Sequence, residues 1–165
     1  MPDEKWVFDT VSLSNFLLSE SIYLIENRYK QRAIITTQVL DELSAGIAKY
    51  PVFKIIDKLI EDKIFKICNM SQKERRIYTD LNGQLGKGEA SCIAVVKEQG
   101  LLVVTDDRAA RRQCSQIGIS ITGTIGIIKA SLRDGQITVD QANNILQKMT
   151  DFGFYSPVRK IDDLI

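Results

Sequence analysis

Four acidic positions stand where a parallel α/β chain would gather them. Asp9 follows Trp6-Val7-Phe8, and Glu42 lies beyond Ile34-Ile35-Thr36-Thr37. Glu89 sits in Gly86-Lys87-Gly88-Glu89-Ala90, and the pair Asp106-Asp107 follows Leu101-Leu102-Val103-Val104-Thr105. Each falls just after a short apolar run or in the first turns of the helix that follows one. In an open parallel sheet the carboxyl ends of the strands share one edge, where ligands bind, so residues far apart in the chain can meet there. Carboxylates that meet repel, by about 4 kcal/mol for a pair ~4 Å apart at an effective dielectric near ~20. A divalent cation inside the cluster is the obvious compensation.

The chain contains no histidine. That removes imidazole as base, nucleophile or ligand, and with it the usual serine and cysteine triads. Carboxylate chemistry remains, and oxygen ligands alone suit a hard cation, Mg²⁺ or Mn²⁺, rather than zinc or copper. Cys68, Cys92 and Cys114 show no Cys-x-x-Cys spacing and read as buried thiols in a reducing compartment. The start of the chain has no basic and apolar signal segment, and no stretch approaches a membrane span. A cytoplasmic protein without membrane contact is expected.

A net charge of +1 leaves any attraction to nucleic acid to a local patch. Arg108, Arg111 and Arg112, at i, i+3 and i+4 of a helix beginning near Asp106, form one basic face. Such a stripe is most often solvated and paired with acids of neighbouring turns. Beside Asp106-Asp107 it would also suit phosphates running past a metal site. The glycines of Gly83-Gln84-Leu85-Gly86-Lys87-Gly88 do not form a P-loop, which needs Gly-Lys-Ser/Thr after a strand.

The elements that must position these residues alternate between short apolar runs and helical stretches, as in a parallel α/β sheet. Strands are predicted at 5–9, 33–36, 64–68, 101–105 and 119–122, the third more polar than the others. Helices are predicted at 12–18, 21–29, 38–47, 52–61, 71–81, 89–99, 106–116, 124–132 and 138–149. Thr36 or Thr37 caps the third of these, and Gly100 and Gly118 stop two others. At 165 residues the chain is the size of one domain. Structural roles account for several of the acids taken singly. Asp9 suits a turn or helix cap, Glu42 a solvated helix face, Glu89 the positive end of a helix dipole, and Asp106 or Asp107 another cap.

Their order along the chain is more specific than any one of them. An acid after the first strand, Val39-Leu40-Asp41-Glu42-Leu43 after the second, Gly-x-Gly-Glu-Ala opening a helix and Val-Val-Thr-Asp-Asp after a later strand together resemble the PIN-domain nucleases. The resemblance runs from about Trp6 to Ile128. It is nearest the prokaryotic branch with Gly-x-Gly-Glu-Ala, Asp-Asp-x-x-x-Arg and Gly-Thr-x-Gly-Ile, here Gly123-Thr124-Ile125-Gly126-Ile127. Carried over by position, Asp9, Glu42, Glu89 and Asp107 match the acidic quartet that binds metal and carries catalysis. Asp106 is an extra acid and a candidate to share the role. Thr105 joins Arg108, Arg111, Arg112 and Lys87 as candidates for contacting nucleic acid. Two departures stand out: Val11 occupies a place where the family often has a hydroxyl, with Ser12 following, and the third acid is glutamate rather than aspartate.

The resemblance implies a three-layer α/β/α domain over residues 1–150 around a parallel sheet of four or five strands. Residues 151–165 would form a C-terminal extension that docks as a short helix or stays partly free. The implied activity is that of a nuclease dependent on Mg²⁺ or Mn²⁺, an endoribonuclease of toxin type. The implied partners are RNA or single-stranded DNA, a small antitoxin-like protein and a second copy of the chain. One rival is a PIN-like module that binds nucleic acid or protein without cutting. Another is a metal-dependent phosphatase; the haloacid type needs Asp-x-Asp after the first strand, and Asp9-Thr10-Val11 fails that test.

Overall fold

A computed structural model describes residues 4–164. Its centre is a five-stranded sheet formed by β1 (Trp6–Phe8), β2 (Ala33–Thr36), β3 (Phe65–Cys68), β4 (Leu102–Val104) and β5 (Ile121–Thr122), in the order β3-β2-β1-β4-β5. Every pairing is parallel. The predicted strands are all present, each within a residue or two of its expected limits. β2 is buried along its whole length, whereas β3 leaves Lys66 exposed. The more polar third strand is therefore an edge strand, with less surface for helices to cover.

Nine α-helices surround the sheet among the described residues. α1 (Thr10–Leu18) and α2 (Tyr23–Tyr29) link β1 to β2; α3 (Thr37–Ala45), a 3-10 turn at Pro51–Lys54 and α4 (Ile55–Glu61) link β2 to β3. α5 (Gln72–Leu81) and α6 (Lys87–Gln99) carry the chain back to β4, and α7 (Arg108–Gln116) leads to β5. α8 (Thr124–Arg133) and α9 (Val139–Asp151) complete the set. α6 packs on β1, β2 and β4 with α5 and α7 at its sides, while α1, α2, α8 and α9 pack among themselves. The result is a three-layer α/β/α arrangement.

Local chemistry sets the helix starts. Thr36 accepts the Val39 N–H at 3.1 Å, Ser71 with Glu74 and Thr138 with Gln141 form capping boxes, and Gly100 closes α6 in the left-handed region at φ 67°. The core between the layers includes Phe8, Phe16, Phe65, Leu13, Ile35 and Ile93, all fully buried or nearly so. Of the cysteines, Cys92 and Cys114 are buried as expected, but Cys68 on the edge strand is only half-buried. No helix among the described residues is long and apolar enough to cross a membrane.

The C-terminal extension docks. A 3-10 turn at Ile161–Leu164 packs on α9, with Ile161 fully buried and its N–H donating to Asn143 Oδ1 at 2.8 Å. Asn143 also donates to Asp162 at 2.7 Å.

The strand order contains a switch point. From β1 the chain moves outward through β2 to β3, then returns across the sheet to β4 on the other side of β1 and moves outward again to β5. Neighbouring connections leave β1 and β4 in opposite directions, which opens a crevice beyond their carboxyl ends. The register Phe8↔Val104 puts Asp9 beside Thr105 at that crevice.

Candidate active site

Asp9 follows β1 as the cap of α1. Its backbone is extended (φ −83°, ψ 169°), its Oδ1 accepts the Ser12 N–H at 2.8 Å, and its own N–H donates to the Val104 carbonyl at 3.1 Å. The side chain is fully buried, and Oδ2 has no hydrogen-bond partner. One oxygen of the carboxyl thus caps the helix while the other stands without a partner. Burial pushes its pKa from 3.8 to about 6, opposed by the Thr105 and Ser12 hydroxyls and the Ser12 amide, and reinforced by the charge of Asp106. A shift of about two units is roughly 3 kcal/mol against the ionised form. An ionised Asp9 at neutral pH calls for a positive partner at Oδ2.

Asp106 is the opposite case. Its Oδ1 accepts the Thr124 N–H at 2.9 Å, and its Oδ2 accepts the hydroxyls of Thr124 at 2.5 Å and Ser12 at 3.4 Å. Arg111 Nη2 lies 4.0 Å from Oδ1, while Arg111 Nε donates to the Thr105 carbonyl at 2.9 Å. Asn15 then donates to the Thr124 hydroxyl at 3.2 Å. These donors occupy most of what a carboxylate can accept. Asp106 therefore ties the end of β4 to α1, α7 and α8. Gly123 permits the approach, because a Cβ there would run into both Arg111 Nη2 and Asp106 Oδ1.

Asp107 caps α7, which begins at Arg108 rather than at Asp106 as its periodicity predicts. Oδ1 accepts the Ala110 N–H at 2.7 Å, and the Asp107 N–H donates to Thr105 Oγ1 at 3.2 Å. Its side chain is otherwise exposed. Glu42 stands exposed on α3, where Thr10 donates to its Oε1 at 2.9 Å. Gly88 on α6 makes room for that pair: a Cβ would collide with Glu42 Oε1 and lie 3.0 Å from Thr10 Oγ1. Glu89, half-buried in the first turn of α6, has its pKa raised by burial first and then by the charges of Asp107 and Glu42, against the pull of its own backbone amide. Burial, then the charges of Asp9, Glu89 and Glu42, push the buried Cys92 thiol well above its ordinary range.

These effects couple Glu89 to Asp107 and Glu42, and Asp9 to Asp106, at the carboxyl edge. Among the described residues, no three acidic side chains lie close enough in this arrangement to share one metal ion. Thr10, Ser12, Asn15 and Thr124 are the polar partners that sequence reasoning passed over. Ser12 lies three residues after Asp9, and Thr124 lies within the quoted Gly-Thr motif; both positions were visible without a partner to assign.

A groove of about 950 Å³ opens from this edge, lined among others by Glu89, Asp106, Asp107, Arg108, Lys129 and Tyr155. Arg111 lines it as well but is engaged with Asp106 and Thr105. Arg108 and Arg112 are exposed on α7, and Lys87 is exposed at the start of α6. The basic face is thus divided: one arginine braces an acid and two face solvent.

Comparison with curated proteins returns no match. The structure is similar to a toxin-antitoxin complex from Klebsiella pneumoniae, at 21% identity over 62% of this chain and 87% of that one, with a TM-score of 0.50. It also matches VapBC2 from Rickettsia felis bound to a DNA fragment from their promoter, at 14% identity over 72% of this chain and 97% of that one, with a TM-score of 0.49. A family profile described as a PIN domain matches residues 5–165. With its switch-point crevice and its acids at the carboxyl edge, the chain belongs to the PIN-domain family.

Proposed function

We propose that this chain is a metal-dependent endoribonuclease of toxin type, restrained by a small antitoxin protein. PIN domains are generally nucleases. The observation that carries the reading is Asp9: a fully buried carboxyl at the switch point, one oxygen capping a helix and the other without a partner.

That orphaned oxygen and an all-oxygen donor set fit a hard divalent cation. Asp9 through Oδ2, with Glu42, Glu89 and Asp107 once their side chains turn toward it, are the residues that would hold Mg²⁺ or Mn²⁺. When bound, the metal supplies Lewis acidity at a phosphodiester. The chain's own residues do the rest. Asp106, with its acceptor sites largely filled, positions α1, α7 and α8 around the crevice. Glu42, held at one oxygen by Thr10, is free at the other to orient water. Arg108, Arg112 and Lys87 face solvent and hold phosphates flanking the scissile bond, while Thr105 fixes the turn that carries Asp107. The antitoxin reading draws on the toxin-antitoxin assemblies among the structural neighbours.

The test is cleavage of labelled single-stranded RNA, with single-stranded DNA beside it, by purified protein in Mn²⁺, Mg²⁺ or EDTA. Asp107→Asn removes a ligand charge and little volume, and its Oδ1 can still cap α7. It should abolish metal-dependent cutting while unfolding at the wild-type denaturant concentration. An Asp107→Asn protein that cuts as fast as wild type sinks the assignment. A folded, metal-loaded wild type that cuts nothing makes the chain a binding module instead.

A further inference from the structure

Part of the groove's lining is built by the C-terminal segment. Phe152, Phe154, Tyr155 and Pro157 line it, and the same groove is lined by Asp107 and Arg108. Tyr155 is 86% exposed and Phe152 52% exposed, and among the described residues Tyr23 is the one other aromatic side chain that is exposed. Neither ring is on a loose tail. The Phe154 N–H donates to Met149 at the end of α9 at 3.0 Å, and Ile161 is buried against the same helix. Two anchors, one on each side, hold Tyr155 at the rim. Phe152 is further steadied by an edge contact with Tyr50, with ring centroids 6.3 Å apart.

Two of the cations that line the groove are unengaged. Lys129 on α8 and Arg108 on α7 line the groove, both exposed, and neither pairs with an acid among the described residues. The groove therefore brings the acids Glu89 and Asp107 together with exposed rings and two free cations. A single-stranded polynucleotide has matching features: a phosphate chain for the cations and π faces for the rings, whatever the base. A duplex keeps its bases stacked and offers no faces to such rings. An apolar peptide would cover the rings but leave Lys129 and Arg108 without partners.

From this juxtaposition we infer that Tyr155 and Phe152 form a base-stacking platform, with Lys129 as its phosphate clamp, that seats single-stranded RNA beside the acids. The inference rests on the nuclease reading and adds the strand's path and the form of the substrate. Because the platform accepts any base, recognition through it is by single-strandedness rather than by sequence.

Binding of a fluorescein-labelled single-stranded RNA, followed by anisotropy in EDTA, isolates the platform from the chemistry. Tyr155→Ala should weaken binding roughly five- to hundredfold, and Tyr155→Phe, which keeps the ring, should restore it. Lys129→Gln should weaken binding for every sequence alike and reduce the slope of log affinity against log salt by about 0.7. A duplex of the same sequence should bind wild type and Tyr155→Ala equally. Tyr155 is so exposed that its replacement leaves the fold intact, and a wild-type melting temperature verifies this. If wild type binds and cuts single strands but Tyr155→Ala binds them equally well, the platform is overturned and the nuclease stands. Equal loss of single-strand and duplex binding in Tyr155→Ala also overturns it. If wild type neither binds nor cuts, the nuclease reading itself fails.

Discussion

At the scale of single residues, the two oxygens of Asp9 behave differently, and that difference is measurable without any substrate. The folded protein holds the Asp9 proton up to a pKa of about 6, against 3.8 for the free group. Between those values the native state binds more protons than the unfolded chain, so rising pH through that window removes stability, roughly 3 kcal/mol in all. The loss is complete above the folded pKa and absent below about pH 4. Asp9→Asn keeps the Oδ1 cap and abolishes the titration. In EDTA, the stability of wild type relative to Asp9→Asn should therefore fall by about 3 kcal/mol between pH 4 and pH 7, read from urea unfolding. Mn²⁺ at pH 7 should raise wild type and leave the variant unmoved. Parallel stability curves for the two proteins across this window would remove the case for a metal at Oδ2.

At the scale of elements, the positions of the acids were legible because helix-start chemistry and strand ends are local. Asp9, Asp107 and Thr36 each cap a helix at the end of a strand or within three residues of it, and short apolar runs announce such places. What decided between Asp106 and Asp107 was not local. Asp106 is filled by donors from Thr124 and Ser12, the latter 94 residues away in the chain. No periodicity reports a contact of that span, so Asp106 read only as an extra acid beside Asp107, and Arg111 as one of three arginines on a single basic face. The glycines before Glu89 likewise read as a loop, whereas Gly88 lies within α6 and makes room for the Thr10 and Glu42 pair. Gly88→Ala tests this. Alanine raises helix propensity by about 1 kcal/mol, and its Cβ can be accommodated by moving the flexible end of Glu42. The variant should melt at or above the wild-type temperature yet cut RNA about tenfold or more slowly, a loss the size of a displaced catalytic group. Equal kcat/KM in the two proteins would show that Glu42 has no part in the reaction.

At the scale of the whole molecule, the layered fold and its strands followed from the apolar pattern, but the docking of the last residues did not. The stretch from Phe152 onward is short of helical repeats, and it holds its place through Ile161 and two hydrogen bonds to Asn143. Ile161→Asp would bury an unpaired charge at that joint. Limited proteolysis should then cut the segment beyond Asp151 about tenfold sooner than in wild type, while the remaining domain stays resistant. Simultaneous loss of segment and domain would show that the extension belongs to the core rather than resting on it.

The switch point also governs when the site can exist. β1, with Asp9, is made well before its partner β4 and the acids beyond it, Asp106 lying 94 residues beyond Ser12. At roughly 5–20 residues per second, that separation is about 5–20 s of synthesis. Throughout that interval the nascent chain carries Asp9 without β4 or Asp107 beside it. On the nuclease reading, cutting waits until the return strand has closed the sheet.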